Sequence, residues 1–210
     1  IFRGIPINVT LLFSREQYLA AADAYMKGIE RRIEAGQSPL VESVASLFVS
    51  RWDTGAKETV KPEFQNRLGI AIALRTYKAY RELLASPRWK KLAAAGAHPQ
   101  RLLWASTGTK DPKAPETLYV EALAAPDTID TMPSKTLMAF AEHGKVGATM
   151  PRDGGFCEQT IEEIRRQGVD VEALADKLQK DGGDAFAKSW NSLLGGLEEK
   201  VTRLTATSPS

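Results

Sequence analysis

Cationic and hydroxyl side chains stand where apolar runs of this 210-residue sequence end. Arg51 follows one such run, Ser106 ends the next, and Lys110 lies in the loop beyond it. Arginine and lysine beside hydroxyls and backbone N–H groups form a natural site for a phosphate group. The three residues therefore predict a phosphate site, provided that their side chains converge. Arg51 taken alone would fit a surface ion pair equally well.

Two polar residues, Asn8 and Thr10, interrupt the apolar run INVTLLF near the start of the chain. Successive side chains of a strand alternate between its faces, so these two are expected to point to the same side. Polar groups on a buried face cost free energy unless something satisfies them. Ordinary hydrogen bonds or a partly exposed edge strand would explain them, and so would a binding site. Ser46 and Phe48 share one face of the second apolar run in the same way.

Strand patterns that alternate with helical patterns must position these residues. The strands are predicted near residues 5–12, 42–50, 101–107 and 127–131, and the two longest helices over residues 14–36 and 63–85. Ser14 and Gln17 have the spacing of a capping box at the start of the first helix. Such alternation favours an α/β fold with a parallel sheet. Four units make half of an eight-stranded (β/α) barrel; the alternative, a small doubly wound sheet, lacks its glycine-rich phosphate turn.

The last quarter of the chain has a different pattern. Residues 156–204 predict three helical segments, separated by the sequences GVD and DGGD, with no strand between them. Residues 205–210 predict a tail or linker. Cys157, at the start of the first of these helices, is expected to be a buried thiol. The tryptophans are expected to pack in the core or between helices; they are Trp52, Trp89, Trp104 and Trp190.

Composition excludes several classes of partner. The net charge is only +2, which gives no reason to expect nucleic acid, and no basic run suggests a membrane surface. No apolar run is long enough to span a membrane, and no signal peptide is visible. Cys157 is the only cysteine, so a reducing compartment, the cytoplasm, is expected. His98 and His143 lack partners at metal-ligand spacing, so no metal site is predicted.

Four motifs resemble one enzyme family. INVTLLFS, SVASLFVSRWD and LLWASTGTKDP are similar to strand motifs of the transaldolases, which are class I aldolases on a (β/α)8 barrel. YVEALAAPDTIDTMPSKTLMAFAEHG resembles the last strand of that family and the helix that follows it. The loop TGTKDP is closer to the longer bacterial branch. The resemblance covers residues 4–150 strongly and extends more loosely to about residue 204.

The resemblance implies a reaction of the pentose phosphate pathway. Transaldolases form a Schiff base between a lysine and a ketose phosphate, cleave a C–C bond, and pass a dihydroxyacetone unit to an aldose phosphate. The implied substrates are fructose 6-phosphate, sedoheptulose 7-phosphate, erythrose 4-phosphate and glyceraldehyde 3-phosphate, and no cofactor is implied.

The resemblance also implies a role for each candidate residue. Asn8 and Ser46 would hold hydroxyls of the dihydroxyacetone unit, and Thr10 would orient a catalytic water. Phe48 would wall the pocket. The residues implied to grip the phosphate are Arg51, Ser106 and Lys110.

The sequence departs from the family in one large respect. The family's Schiff-base lysine lies on the strand just before the one that opens this chain, and the catalytic carboxylates lie on earlier strands. The chain also begins without Met. We therefore expect residues 1–150 to be the C-terminal half of a barrel and residues 151–210 a helical extension that packs on it. Such a chain would be inactive alone and would have the N-terminal half as its partner. A non-catalytic half barrel that binds sugar phosphates, and an aldolase that cleaves without transferring, remain as alternatives.

Overall fold

The computed structural model describes residues 1–206, which form alternating strands and helices. The strands are β1 (Ile7–Leu12), β2 (Ser43–Phe48), β3 (Arg101–Ala105) and β4 (Thr128–Asp130). The helices are α1 (Arg15–Glu34), α2 (Ser50–Ala56), α3 (Leu68–Ala85), α4 (Pro87–Ala94), α5 (Leu118–Ala122), α6 (Ser134–His143), α7 (Cys157–Arg166) and α8 (Val171–Ala206). A 3-10 turn covers Pro62–Phe64.

The strands form one parallel sheet in the order β1-β2-β3-β4. Ile7 lies opposite Ser43, and the β2–β3 and β3–β4 pairs continue in parallel register. The predicted α/β architecture with a parallel sheet is confirmed. Each strand is shorter than predicted; residues 50–56, for example, already form α2 rather than the end of a strand.

The predicted start of the first helix is also confirmed. The Ser14 hydroxyl accepts a hydrogen bond from the Gln17 backbone N–H at 3.1 Å. The Gln17 side chain accepts in turn from the Phe13 N–H at 2.7 Å, so two backbone donors at the start of α1 are satisfied. This cap fixes the chain direction immediately after β1.

β1 is irregular at its C-terminal end. Its pairing with β2 shifts register between Val9 and Leu12, which leaves an extra residue on β1. Leu11 accordingly has a φ of 58°, in the left-handed region. Such a β-bulge bends the strand and redirects side chains, so the strict alternation predicted for Asn8 and Thr10 ends at this point.

The two faces of the sheet differ in burial. Ala45, Leu47 and Trp104 are fully buried against α1 and α3, where they belong to an apolar cluster that includes Tyr77 and Tyr80. The opposite face is much more open. Asn8 and Thr10 are exposed there, and Val44 and Phe48 are half-buried. This open face carries the candidate residues of β1 and β2.

The C-terminal region forms two helices rather than three. α8 runs without a break through the DGGD sequence, so the predicted interruption there is wrong. Glycine costs only about 1 kcal/mol in a helix interior, and here Gly182 allows a close approach. A Cβ on Gly182 would lie 2.8 Å from Leu11 Cδ2. Residues 207–210 of the predicted tail lie outside the described residues, while Thr205 and Ala206 still belong to α8.

α7 and the first part of α8 pack on α2 and α3. The second apolar cluster joins Trp52 and Ile72 to Ile161 and Leu178, and it includes the buried Cys157 as predicted. Trp52, Trp89 and Trp104 are also buried as predicted. Trp190 is not, because its side chain is 60% exposed on the second half of α8. No helix among the described residues is long and apolar enough to cross a membrane.

Candidate functional site

Asn8 and Ser46 form a side-chain pair on the open face of the sheet. The Ser46 hydroxyl donates to Asn8 Oδ1 at 2.7 Å. Ser46 is 2% exposed, whereas Asn8 is exposed, so the pair runs from the interior to the surface. An asparagine amide also carries two N–H donors. Asn8 can therefore accept from Ser46 and donate to a ligand hydroxyl at the same time.

Thr10 is exposed next to the β-bulge. The carbonyl of the following residue, Leu11, accepts a hydrogen bond from Gln179 Nε2 of α8 at 2.9 Å. α8 therefore contacts the strand one residue beyond Thr10. Sequence reasoning missed Gln179, because it lies 168 residues along the chain from Leu11.

Phe48 and Arg51 are brought together at the end of β2. The guanidinium carbon of Arg51 lies 5.6 Å from the centre of the Phe48 ring, within the range of a cation–π contact. The Phe48 ring also lies 5.4 Å from that of Phe13. Asp181 of α8 has a pKa below its usual range, chiefly because Lys177 donates to it, with smaller contributions from the charges of Lys180 and Arg51. Arg51 thus lies beside an aromatic ring, and its charge acts on the Asp181 carboxylate of α8.

Ser106 is connected to the start of α2 rather than to Arg51 directly. Its hydroxyl lies 2.9 Å from that of Ser50, and its carbonyl accepts from the Ser50 N–H at 3.0 Å. Ser106 has a φ of 56°. A non-glycine residue in this left-handed region costs on the order of 1–3 kcal/mol and is frequent at functional sites. Ser50, the residue just before Arg51, was not among the predicted site residues.

Lys110 lies in a separate small cavity. This cavity, of about 110 Å³, is lined by Lys110 and by residues of α2 and the loop before α3, among them Ser50, Lys57 and Asn66. Arg51 and Ser106 do not line it. The structure therefore does not bring the three predicted phosphate ligands into one cavity. Ser50 is the residue that connects them, because it contacts Ser106 and lines the cavity of Lys110.

Asp53 is a buried carboxylate that sequence reasoning did not select. It is 9% exposed and lines the same cavity as Lys110. Its oxygens accept from the backbone N–H groups of Leu68 and Gly69 at 2.9 and 3.2 Å, and from the Tyr119 hydroxyl at 2.8 Å. Burial raises the pKa of Asp53 to about 6, although these hydrogen bonds act in the opposite direction. The only sequence signal was an acidic residue in the first helical turn after a strand.

A second carboxylate with a raised pKa lies at the end of β4. Asp130 Oδ1 lies 2.9 Å from the Thr107 hydroxyl, which is also 2.8 Å from the Thr131 carbonyl oxygen. Burial raises the pKa of Asp130 to about 6. Neither Thr107 nor Asp130 was a predicted site residue.

Side-chain hydrogen bonds thus connect each pair of neighbouring strands. Asn8 and Ser46 connect β1 with β2, while Ser50 and Ser106 connect the segment after β2 with the segment after β3. Thr107 and Asp130 connect the segment after β3 with β4. In parallel α/β folds, ligands bind at the carboxyl ends of the strands. The Ser50–Ser106 and Thr107–Asp130 pairs lie at that end of the sheet. The Asn8–Ser46 pair lies on the open face of the sheet.

The described residues hold neither a cluster of metal ligands nor a lysine on a strand. Within residues 1–206, no group of three or more His, Cys, Asp or Glu side chains could hold a metal ion. The four strands of this part of the chain contain no lysine. An amine nucleophile on a strand is therefore not supplied by β1–β4.

Comparison with known proteins identifies the family. Residues 1–197 match the family described as transaldolase/fructose-6-phosphate aldolase. The transaldolase of Frankia alni is 43% identical over 210 residues, which are 96% of this chain and 57% of that protein. The transaldolase of Neisseria meningitidis serogroup A is 41% identical over 195 residues, which are 92% of this chain and 56% of that protein. The chain thus spans rather more than half the length of these curated relatives.

Proposed function

The chain belongs to the transaldolase/fructose-6-phosphate aldolase family, and from this premise we propose that it is the substrate-binding part of a transaldolase. The enzyme would transfer a dihydroxyacetone unit from a ketose phosphate to an aldose phosphate through a lysine Schiff base, as a step of the pentose phosphate pathway. The observation that carries the proposal is the Asn8–Ser46 pair on the open face of a parallel sheet. A single cysteine fits a reducing compartment, and we place the activity in the cytoplasm.

The proposed architecture is half of a (β/α)8 barrel. Four parallel strands with intervening helices supply half of the eight units that such a barrel needs. The chain aligns with 57% of the length of the Frankia alni relative, which leaves room there for the other units. In this proposal residues 1–150 are the C-terminal half of the barrel and residues 151–210 a helical extension. The partner that completes the barrel is the N-terminal half of the same protein.

The residues of β1 and β2 would bind the dihydroxyacetone unit. Asn8 would donate from its amide to a substrate hydroxyl while Ser46 holds its oxygen. Thr10, exposed beside the bulge, would orient the water that adds to and leaves the Schiff-base carbon. Phe48 would wall the pocket and keep water from the amine, which must be neutral to attack a carbonyl.

Arg51, Ser106 and Lys110 would bind the phosphate group of the sugar. Two cations and a hydroxyl are well suited to a phosphate dianion. Ser50 supports this assignment because it contacts Ser106 and lines the cavity of Lys110. The phosphate would have to lie beside Ser50, with Arg51 reaching it from one side and Lys110 from the other.

The nucleophile is assigned to the partner half. Since β1–β4 carry no lysine, the Schiff-base amine would come from a strand adjacent to β1. We expect the 210-residue chain alone to have no transaldolase activity. Addition of the N-terminal half should restore it.

Borohydride trapping tests this assignment. A transaldolase completed with the N-terminal half is incubated with fructose 6-phosphate and borohydride, and the reduced adduct is located by peptide mass spectrometry. The adduct should appear only on a lysine outside the 210 residues. An adduct on Lys110, or on any other lysine of this chain, would show that the nucleophile has been misassigned. Omitting the acceptor sugar separates transfer from simple aldol cleavage, because only a transferase then stalls.

A non-catalytic sugar-phosphate-binding half barrel is the second candidate function. The lysine-free strands and the small cavity of Lys110 favour it. Calorimetry with fructose 6-phosphate distinguishes the two candidates. Binding by the 210-residue chain, unaltered by addition of the N-terminal half and without turnover, would favour this second function.

A further inference from the structure

The second half of α8 carries an apolar stripe that is largely exposed in the described part of the chain. Phe186, Trp190, Leu193, Leu197 and Val201 are 51–60% exposed. Their spacing of three and four residues places them on one side of the helix. Charged residues such as Lys188 and Glu199 occupy the opposite side. We call these five apolar residues the α8 stripe.

The stripe continues the side of α8 that packs on the sheet. Gln179 donates to the Leu11 carbonyl, and Gly182 lies against the Leu11 side chain. Gly182 precedes Phe186 by four residues and Trp190 by eight, so all three lie on the same side of the helix. α8 therefore presents a contact side to β1 and then extends beyond it with that side exposed.

β1 is an edge strand of the described sheet. Its partner on one side is β2, and no described strand pairs with its other edge. Ile5, two residues before β1, and Ile7, its first residue, are 58% and 41% exposed. An unpaired edge with apolar side chains is a site for pairing with a further strand. A segment added there would extend the sheet at β1, the strand that α8 contacts at Leu11.

We infer that the α8 stripe packs against the strand–helix unit that pairs with the free edge of β1 in the completed protein. This inference rests on the proposed function, in which a partner half adds the strands that precede β1. The stripe from Phe186 to Val201 is about 22 Å long, at 1.5 Å per residue. That length exceeds several strand spacings of about 4.8 Å, so the helix can reach across the added unit.

A second copy of the chain is a less suitable occupant. A two-fold dimer formed through β1 would pair the two copies of β1 antiparallel. That arrangement would leave no place for a parallel strand at the same edge. A single segment that pairs with β1 and packs against the stripe would cover both the free edge of β1 and the exposed stripe.

Hydrogen–deuterium exchange on the complete polypeptide tests the inference. The portion of a transaldolase relative that this chain does not cover is joined ahead of Ile1, and exchange of residues 186–201 is compared with that in the 210-residue chain. We expect amides in this segment to exchange at least tenfold more slowly in the completed protein. Phe186→Ser and Trp190→Ser should return them to fast exchange. Phe156→Ser is the matched control, because Phe156 is 81% exposed and lies outside α8.

Each result has a defined meaning. Fast exchange of the segment in a completed protein that unfolds cooperatively would overturn the inference. Concentration-dependent protection in the 210-residue chain, with a dimer in sedimentation, would identify a second copy as the occupant and also overturn it. If the serine variants do not fold, exchange is measured in Leu193→Gln and Leu197→Gln, for which the same return to fast exchange is expected. If the joined polypeptide does not fold, the same exchange is measured after co-expression of the two parts, where the same two results decide.

Turnover is measured separately from exchange. Slow exchange of the stripe in an inactive protein would contradict the proposed reaction and support the packing of the stripe on the added unit. Fast exchange of the stripe in an active protein would contradict this packing and support the reaction.

Discussion

The hydroxyl oxygens of Ser50 and Ser106 lie 2.9 Å apart and join the start of α2 to the end of β3. The Ser50 N–H also donates to the Ser106 carbonyl at 3.0 Å. Arg51 follows Ser50 directly, so its backbone position depends on this junction. The strained φ of Ser106 indicates that the surrounding structure holds the junction in place.

The first prediction is that Ser50 and Ser106 contribute jointly to stability. In a double-mutant cycle on the 210-residue chain, Ser50→Ala and Ser106→Ala should show a coupling energy of about 1 kcal/mol in urea unfolding. Ser106→Ala combined with Ser38→Ala, on the exposed segment before β2, should be additive. A coupling of zero would show that the two hydroxyls do not bond to each other in solution.

The second prediction concerns Arg51 in the completed enzyme. Arg51→Ala should raise the KM for a phosphorylated ketose at least tenfold, because a charge-assisted contact to phosphate is lost. The KM for the unphosphorylated ketose should change little. Arg166→Ala, which removes a surface arginine of α7, is the control and should alter neither. Equal effects of Arg51→Ala on both substrates would rule out a phosphate role.

Much of the fold follows from local patterns in the sequence. The change from strand to helical periodicity at Ser14 predicted both β1 and α1, since the capping residues stand at the boundary itself. The Val-, Leu- and Phe-rich runs predicted the strands of a parallel sheet, because strands buried on both faces are made of nearly continuous apolar residues. Their ends were predicted less well, because Ser50 begins α2 through a tertiary contact with the segment after β3.

The contacts that build the candidate site depend on partners far apart in the chain. Asp53 is held by Leu68, Gly69 and Tyr119, none of which has a periodic relation to it. The Leu11 carbonyl at the bulge likewise accepts a hydrogen bond from Gln179 of α8. Residue types at strand ends predicted which groups are polar, but not that Lys110 lines a cavity that Arg51 and Ser106 do not line.

The third prediction compares two neighbouring glycines of α8. Gly183→Ala should stabilise the protein by about 0.5–1 kcal/mol, because a Cβ there meets open space and alanine favours a helix. Gly182→Ala should stabilise the protein less, or destabilise it, because the added Cβ would lie 2.8 Å from Leu11 Cδ2. Thermal unfolding of both variants measures the difference. Equal stabilisation would show that α8 does not press on β1 at Gly182.

The fourth prediction uses Asp53, whose carboxyl group is buried at the junction of α2, α3 and α5. Burial raises its pKa from an ordinary value of 3.8 to about 6. The folded state therefore holds a proton that the unfolded state releases between about pH 4 and pH 6. The contribution of this group to the free energy of unfolding is fully present below pH 4 and is lost as the pH rises through 6. Two pKa units correspond to at most about 3 kcal/mol.

Asp53→Asn removes the titrating group, so the stability advantage of the wild type over this variant should be larger at pH 4 than at pH 7. Urea unfolding across this range measures the difference. Tyr119→Phe is the matched control, because it removes one hydrogen bond and keeps the carboxyl group. The Tyr119 hydrogen bond lowers the pKa of Asp53, so in this variant the pH-dependent loss should persist and extend to higher pH. A pH-independent difference between the wild type and Asp53→Asn would show that Asp53 stays ionised in the fold, with its three hydrogen bonds outweighing its burial.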